Sequence, residues 1–212
     1  MNPYFSLIGI GVGPFNLSLA ALLSKAPRIP HLFFEKKAHF EWHSELMLPD
    51  SVMQTSWIKD LVTPVDPTNP YSFLNYLVDR GLFYSFLHTG RKVISRLEFE
   101  QYCVWVSGKI GERIRFSEGV REITHEKGRF QLHTERGHYE SEHLCVATGS
   151  IPRIPDCARP FLGEKVFHAK SPMLKDLNIT GKRLAVVGGG QTGLEIFRNA
   201  LNGRFGRASS LH

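Results

Sequence analysis

Ser6-Leu7-Ile8-Gly9-Ile10-Gly11-Val12-Gly13-Pro14-Phe15-Asn16 is an apolar run broken by alternating glycines and then continued by helix-compatible residues. Tyr4–Ile10 reads as a buried parallel strand, Pro14–Lys25 as the helix after it, and Pro27 or Pro30 as its stop. Glycines between strand and helix let the backbone turn tightly and approach a pyrophosphate resting on the free N–H groups of the helix. The run departs from G-x-G-x-x-G. Gly9 and Gly11 fit, but the third glycine position is Pro14, preceded by an extra Gly13. Proline is tolerated there because a first-turn N–H has no helical partner to lose. His31–Glu35, HLFFE, is the next strand, and Glu35 closes it where a ribose-binding carboxylate belongs. The expectation is an α/β fold with Gly9, Gly11, Gly13, Pro14, Asn16 and Glu35 around one nucleotide.

A second fingerprint lies near the other end. Leu184–Gly193, LAVVGGGQTG, follows the G-x-G-x-x-G spacing fully through Gly188, Gly190 and Gly193, with Gln191 and Thr192 inside the loop. Arg183–Gly188 is expected as its strand and Gln191–Asn202 as its helix, ended by Gly203. One such loop is weak evidence. Two, with Ala147-Thr148-Gly149 between them, suggest a flavoprotein in which FAD meets a nicotinamide. The residue that separates NADP from NAD would lie at the end of the following strand. That strand would begin near His212, so Arg204 and Arg207 read as surface residues.

Between the fingerprints, 39–68 has little periodicity and several prolines, and a long irregular stretch in a compact domain is usually functional. Asn69 is expected to cap a helix with Pro70 in its first turn, running to Gly81. Ser95 opens another through a capping box with Glu98, and Phe99, Tyr102, Cys103 and Val106 form its apolar stripe. Alternation from Arg113 to Ala147 predicts hairpins turning at Lys127-Gly128 and Arg136-Gly137, with HLCVATG returning to the central sheet.

Bulk properties narrow the classes. A 42% hydrophobic, 22% charged composition is that of a globular protein able to bury a core. The charge of +6 invites a nucleic-acid reading, but the basic residues are scattered and not interleaved with aromatics, which argues against it. Cys103, Cys145 and Cys157 include no C-x-x-C pair, which disfavours a disulfide framework, a zinc site or a local redox disulfide and fits a reducing cytoplasm. His133, His138 and His143 span a hairpin and read as solvated, so no metal is expected. The first residues lack the basic start of a signal peptide, and no stretch reaches the ~18 apolar residues of a membrane span.

The segment Phe40–Leu77, FEWHSELMLPDSVMQTSWIKDLVTPVDPTNPYSFLNYL, resembles the hallmark region of the lysine/ornithine N-monooxygenases, flavin-dependent N-hydroxylases of hydroxamate siderophore biosynthesis. GVGPFNLSLA from Gly11, Pro14 included, and VVGGGQTGLEIF from Val186 resemble them too, so the likeness covers the whole chain. The resemblance implies FAD contacts along Glu35–His43, including Trp42 and His43, and at Gln54, with a backbone contact to adenine near Val120. It implies NADPH phosphates at Gly190–Gly193 and a substrate-carboxylate lysine at Lys59. No side chain is nominated as a catalytic acid or base.

The expected fold is therefore α/β, a glutathione-reductase-like pair of dinucleotide-binding domains. Residues 1–150 would form the FAD domain with 39–68 inserted, 151–182 a linker, and 183–212 the start of an NADPH domain. Family chains are about twice this length, so a C-terminally truncated member, inactive alone, is expected. The expected reaction of the parent enzyme is N-hydroxylation of a primary amine with FAD, NADPH and O2. L-lysine ranks first, a diamine such as cadaverine or putrescine second, and L-ornithine third. A homo-oligomer is open for the full-length enzyme. The alternatives are a Baeyer–Villiger or flavin-containing-type monooxygenase and a non-catalytic FAD-binding remnant.

Overall fold

The computed structural model describes residues 2–48 and 50–205, so Arg207 lies outside the described residues. Two compact units emerge: 1–42 with 52–149, and 43–51 with 150–212.

The first unit is built on one mixed sheet. Its elements run β1 (Tyr4–Ile10), α1 (Pro14–Leu23), β2 (His31–Phe34), α2 (Phe73–Asp79), α3 (Phe83–His88), α4 (Arg96–Ile110), β3 (Ile114–Arg115), β4 (Val120–Glu126), β5 (Arg129–Thr134) and β6 (His138–Val146). The strand order is β3-β2-β1-β6-β5-β4. β3, β2, β1 and β6 are parallel, and β5 and β4 return antiparallel from β6. The apolar HLCVATG run thus rejoins the centre of the sheet beside β1, as its composition implies.

Side-chain period two divides β1 and β2 between two cores. Ile8, Ile10, Leu32 and Phe34 face a cluster under the hairpins with Leu132. Leu7 and Phe33 face the helical side, where Leu17 and Ala20 of α1 and Tyr102, Cys103 and Val106 of α4 pack. The capping box at Ser95 forms in full, with the Ser95 hydroxyl accepting from the Glu98 N–H and the Glu98 carboxylate accepting from the Ser95 N–H. Tyr102 anchors the aromatic layer: its ring lies edge-on to Phe73 at 5.5 Å, and its hydroxyl donates to the Tyr71 carbonyl at 2.6 Å.

Three local readings change. Ser72, not Asn69, caps α2, because the Ser72 hydroxyl accepts the Asn75 N–H. Asn69 instead accepts the Tyr71 N–H through its side chain, a local turn that competes with capping. The helix α3, absent from the sequence reading, has no side-chain cap and buries only Phe86 fully, so its apolar signal is faint. Arg183–Gly188, expected as a strand, is irregular: among the described residues it has no ladder partner, and Val187 is 94% exposed. A parallel strand is fixed by its neighbours, so an apolar run alone does not make one.

His31 shows how a polar residue is held inside this sheet. Its Nδ1 lies 2.8 Å from the Ile29 carbonyl and its Nε2 3.2 Å from an Arg113 guanidinium nitrogen. A carbonyl needs a donor and a guanidinium an acceptor, so only the neutral Nδ1–H tautomer satisfies both. Burial, which outweighs the Ile29 hydrogen bond, and the nearby Arg113 charge hold the His31 pKa below its ordinary value. The unfolded chain then binds the proton more readily. Stability from this site is complete above about pH 6.5 and is lost as pH falls through the lower folded pKa. Melting curves between neutral and mildly acidic pH should fall less steeply for His31→Gln than for the wild type. Identical slopes would exclude His31 as the titrating group.

The second unit holds α5 (Gln191–Leu201) and a small core of Leu46, Leu174, Ile196 and Phe205. The segment 43–51 packs here. Asp50 accepts from Arg198 through its carbonyl at 2.9 Å and from Arg204 through its carboxylate at 2.7 Å.

Candidate nucleotide and substrate site

Three adjacent parallel strands of the first unit end together. β1 runs into Gly11–Gly13, β2 into Glu35, and β6 into Ala147–Gly149. The Gly11 N–H donates to the Phe34 carbonyl and the Ala147 N–H to the Ile10 carbonyl, both at 2.8 Å, so the loops stay knitted beyond the strands. The carboxyl end of a parallel sheet is where nucleotides bind in open α/β folds.

The glycines have separate jobs. A Cβ on Gly9 would lie 2.1 Å from the Phe33 ring, so this position is empty to let strand side chains pack. Gly11 has φ +81°, and a Cβ there would lie 2.6 Å from the Ala147 carbonyl oxygen. A side chain at Gly11 therefore meets the protein's own backbone. Gly13 is different: φ −87° and ψ −175° suit any residue before a proline, and a Cβ there meets nothing within 4 Å. The space over Gly13 is a cradle that the protein itself does not fill.

The N-terminus of α1 opens onto that space. Gly13 is its N-cap, no side chain caps it, and Pro14 brings no N–H of its own. First-turn N–H groups without intrahelical acceptors, at the positive end of the helix dipole, suit a phosphate. Asn16 is wholly buried. Its amide nitrogen donates to the Gly11 carbonyl at 2.8 Å and the Cys145 carbonyl at 3.1 Å, stitching the β1 and β6 loops together. Its side-chain oxygen is a buried acceptor without a partner among the described residues.

Glu35 sits beside the turn. One carboxylate oxygen accepts the Val12 N–H at 2.7 Å and the other the Lys37 N–H at 3.0 Å. The Glu118 N–H donates to the Glu35 carbonyl at 2.9 Å, which brings the start of β4, with Val120, alongside. Glycine loop, acid and Val120 thus come together. These residues fit the pyrophosphate and ribose of a dinucleotide such as FAD.

The irregular segment is pinned residue by residue. The Trp42 N–H donates to Glu100 at 2.9 Å while its ring lies edge-on to Phe99 at 5.2 Å. His43 follows in a left-handed conformation, φ 50°, as part of the second unit. Gln54 is exposed on a strip whose backbone runs along 92–95, with Met53 donating to Ile94 and Trp57 to Lys92. Lys59 is exposed on a turn closed by its own N–H donating to the Ser56 carbonyl at 2.9 Å. Among the described residues, no carboxylate pairs with its ammonium. Sequence reasoning missed Asp60 and Glu100, although Asp60 directly follows Lys59 in the quoted Phe40–Leu77 segment.

In the second unit, the Gly188–Gly193 loop has the same plan. Gly190 is the N-cap of α5 without a side-chain cap, and a Cβ on Gly193 would lie 2.1 Å from the Gly188 carbonyl oxygen. That contact is the close helix-to-loop packing the third glycine permits. Thr192 is half-buried, and the exposed Gln191 amide donates to Glu195 at 2.8 Å. Among the described residues, no helix is long and apolar enough to cross a membrane.

The family model for L-lysine 6-monooxygenase/L-ornithine 5-monooxygenase matches residues 3–212. The L-lysine N6-monooxygenase of Escherichia coli is 41% identical over 214 residues, covering all of this chain and 50% of that protein. The FAD-bound crystal structure of the cadaverine monooxygenase of Erwinia amylovora superposes with a TM-score of 0.89 at 31% identity, covering 97% of this chain and 50% of that one. The Kutzneria ornithine N-hydroxylase, solved with reduced FAD, NADP+ and L-ornithine, gives 0.85 at 30% identity, covering 95% and 51%. The chain spans about half the length of these relatives. With its family model matched almost end to end, the chain belongs to the L-lysine 6-monooxygenase/L-ornithine 5-monooxygenase family.

Proposed function

We propose that the protein of which this chain is part hydroxylates the terminal nitrogen of a primary amine, using FAD, NADPH and O2, in hydroxamate siderophore biosynthesis. L-lysine is the first-ranked substrate, ahead of cadaverine or putrescine and then L-ornithine. The observation that carries this reading is a braced Lys59, without an ion-pair partner among the described residues, in the same unit as an uncapped dinucleotide loop. The relatives named for lysine, cadaverine and ornithine support it.

The residues have distinct tasks. Gly11–Gly13 and the first turn of α1 hold the FAD pyrophosphate, Glu35 the ribose, and the backbone near Val120 the adenine. Trp42, His43 and Gln54 contact the remainder of that cofactor. Gly188, Gly190, Gln191, Thr192 and Gly193 hold the NADPH phosphates. FAD, once reduced by NADPH, supplies the activation of O2. Lys59 takes the substrate carboxylate, which orients the distal amine. An alkylamine with a pKa of about 10.4 is mostly protonated near neutrality, so the site must favour its free base, through burial or nearby positive charge. Three free cysteines suit a cytoplasmic setting, where NADPH is available.

Hydroxylamine formation by the whole protein should be compared across lysine, cadaverine, putrescine and ornithine. Lysine should give the highest kcat/KM. A diamine that outperforms it would overturn the substrate ranking, and no hydroxylated product from any of the four would overturn the function.

A further inference from the structure

We infer that Asp60 is a positioning residue that keeps the Lys59 ammonium available for the substrate carboxylate. The inference rests on the proposed role of Lys59 and adds what holds that lysine in place. Asp60 is the nearest acid in sequence and, with a loose side chain, could neutralise Lys59. In the structure its oxygens are engaged by other donors instead. One Asp60 oxygen accepts the N–H groups of Val62 at 2.9 Å and Thr63 at 2.7 Å. The other accepts the Thr63 hydroxyl at 2.8 Å and the Phe73 N–H, at the start of α2, at 2.7 Å. A carboxylate offers roughly four lone-pair sites, so these four donors occupy it.

The same bonds hold the turn. Lys59 lies between two anchors, Asp60 behind it and Trp57 before it, whose ring stands edge-on to Phe86 at 5.7 Å. Beyond Asp60, the Leu61 carbonyl accepts the Ser18 hydroxyl of α1, the helix that begins at the glycine loop. Lys59 thus projects from a segment tied to α1, α2 and α3. A lysine so placed has no counter-ion among the described residues, and a displacement of about 1 Å in a positioning group can cost on the order of 100-fold.

The test is the ratio of kcat/KM for lysine to that for cadaverine, which lacks the carboxylate, measured on the whole FAD-loaded protein. Lys59→Ala, Asp60→Ala, Asp60→Asn and the Lys59→Ala/Asp60→Ala pair are compared, alongside FAD content and melting temperature. Asp60→Ala should lower the ratio roughly 10-fold or more through KM for lysine. Asp60→Asn keeps an acceptor for Val62 and Thr63 but turns an amide donor toward the Phe73 N–H, so it should fall between. The double variant should match Lys59→Ala, because both changes disable one contact. If Asp60→Ala does not fold, the Asn variant decides alone. Loss of melting temperature with an unchanged ratio, while Lys59→Ala lowers the ratio, would overturn the inference and leave the Lys59 reading intact. An unchanged ratio in Lys59→Ala would overturn that reading and the inference with it.

Discussion

Gly13→Val should yield a whole protein that folds, melts near the wild-type apo form, and carries little FAD. The backbone at Gly13 is extended, as a residue before proline requires, and β-branched valine favours that conformation. Among the described residues, nothing lies within 4 Å of the new Cβ. Losing glycine at an N-cap costs about 1 kcal/mol. The steric penalty then falls on whatever occupies the space over α1. Overlap of this kind costs roughly 1–3 kcal/mol or more, about 5- to 150-fold in affinity. Gly11→Val should behave in the opposite way. Its φ of +81° and the Ala147 carbonyl 2.6 Å from the added Cβ make it a folding defect, seen as insolubility or a large drop in melting temperature. Flavin absorbance per protein separates the two. A Gly13→Val variant that stays fully yellow would remove the glycine loop from the FAD site.

In the whole protein, Lys59→Ala should leave lysine barely distinguished from cadaverine as a substrate. A charge-assisted contact between ammonium and carboxylate is worth roughly 1.5–3 kcal/mol, or about 10- to 150-fold in KM. The diamine has no carboxylate and should keep its KM, and NADPH oxidation should keep its dependence on the cofactor. Because Lys59 is exposed and makes no ion pair among the described residues, its removal should not move the melting temperature. Equal losses for lysine and cadaverine would show that Lys59 does not read the carboxylate.

Local chemistry made much of this legible. β1, α1 and β2 follow from an apolar run, a glycine turn and a proline-started helix, and the Ser95 capping box appears with both of its bonds. HLCVATG could be sent back to the sheet from its apolar run, and it pairs with β1 there although Val146 is left exposed. The rest depends on partners distant in sequence. That a side chain at Gly11 would strike the protein's own backbone shows only once Ala147, far along the chain, is placed against it. Asp60 reads as one more loop acid, since its four donors come from Val62, Thr63 and Phe73 in a segment with no periodicity. Arg183–Gly188 has the composition of a strand, but a ladder needs a neighbour that composition does not supply. Asn69 and Ser72 are both good caps, and only the backbone shows which side chain meets a free N–H.

The most direct test of the central claim is stoichiometric. The whole protein, loaded with FAD and supplied with NADPH, O2 and lysine, should convert RNH2, O2, NADPH and a proton into RNHOH, water and NADP+. Hydroxylamine formed per NADPH consumed should approach one and fall to zero without the amine. NADPH consumption that yields only hydrogen peroxide, with no hydroxylamine from lysine, cadaverine, putrescine or ornithine, would contradict the account.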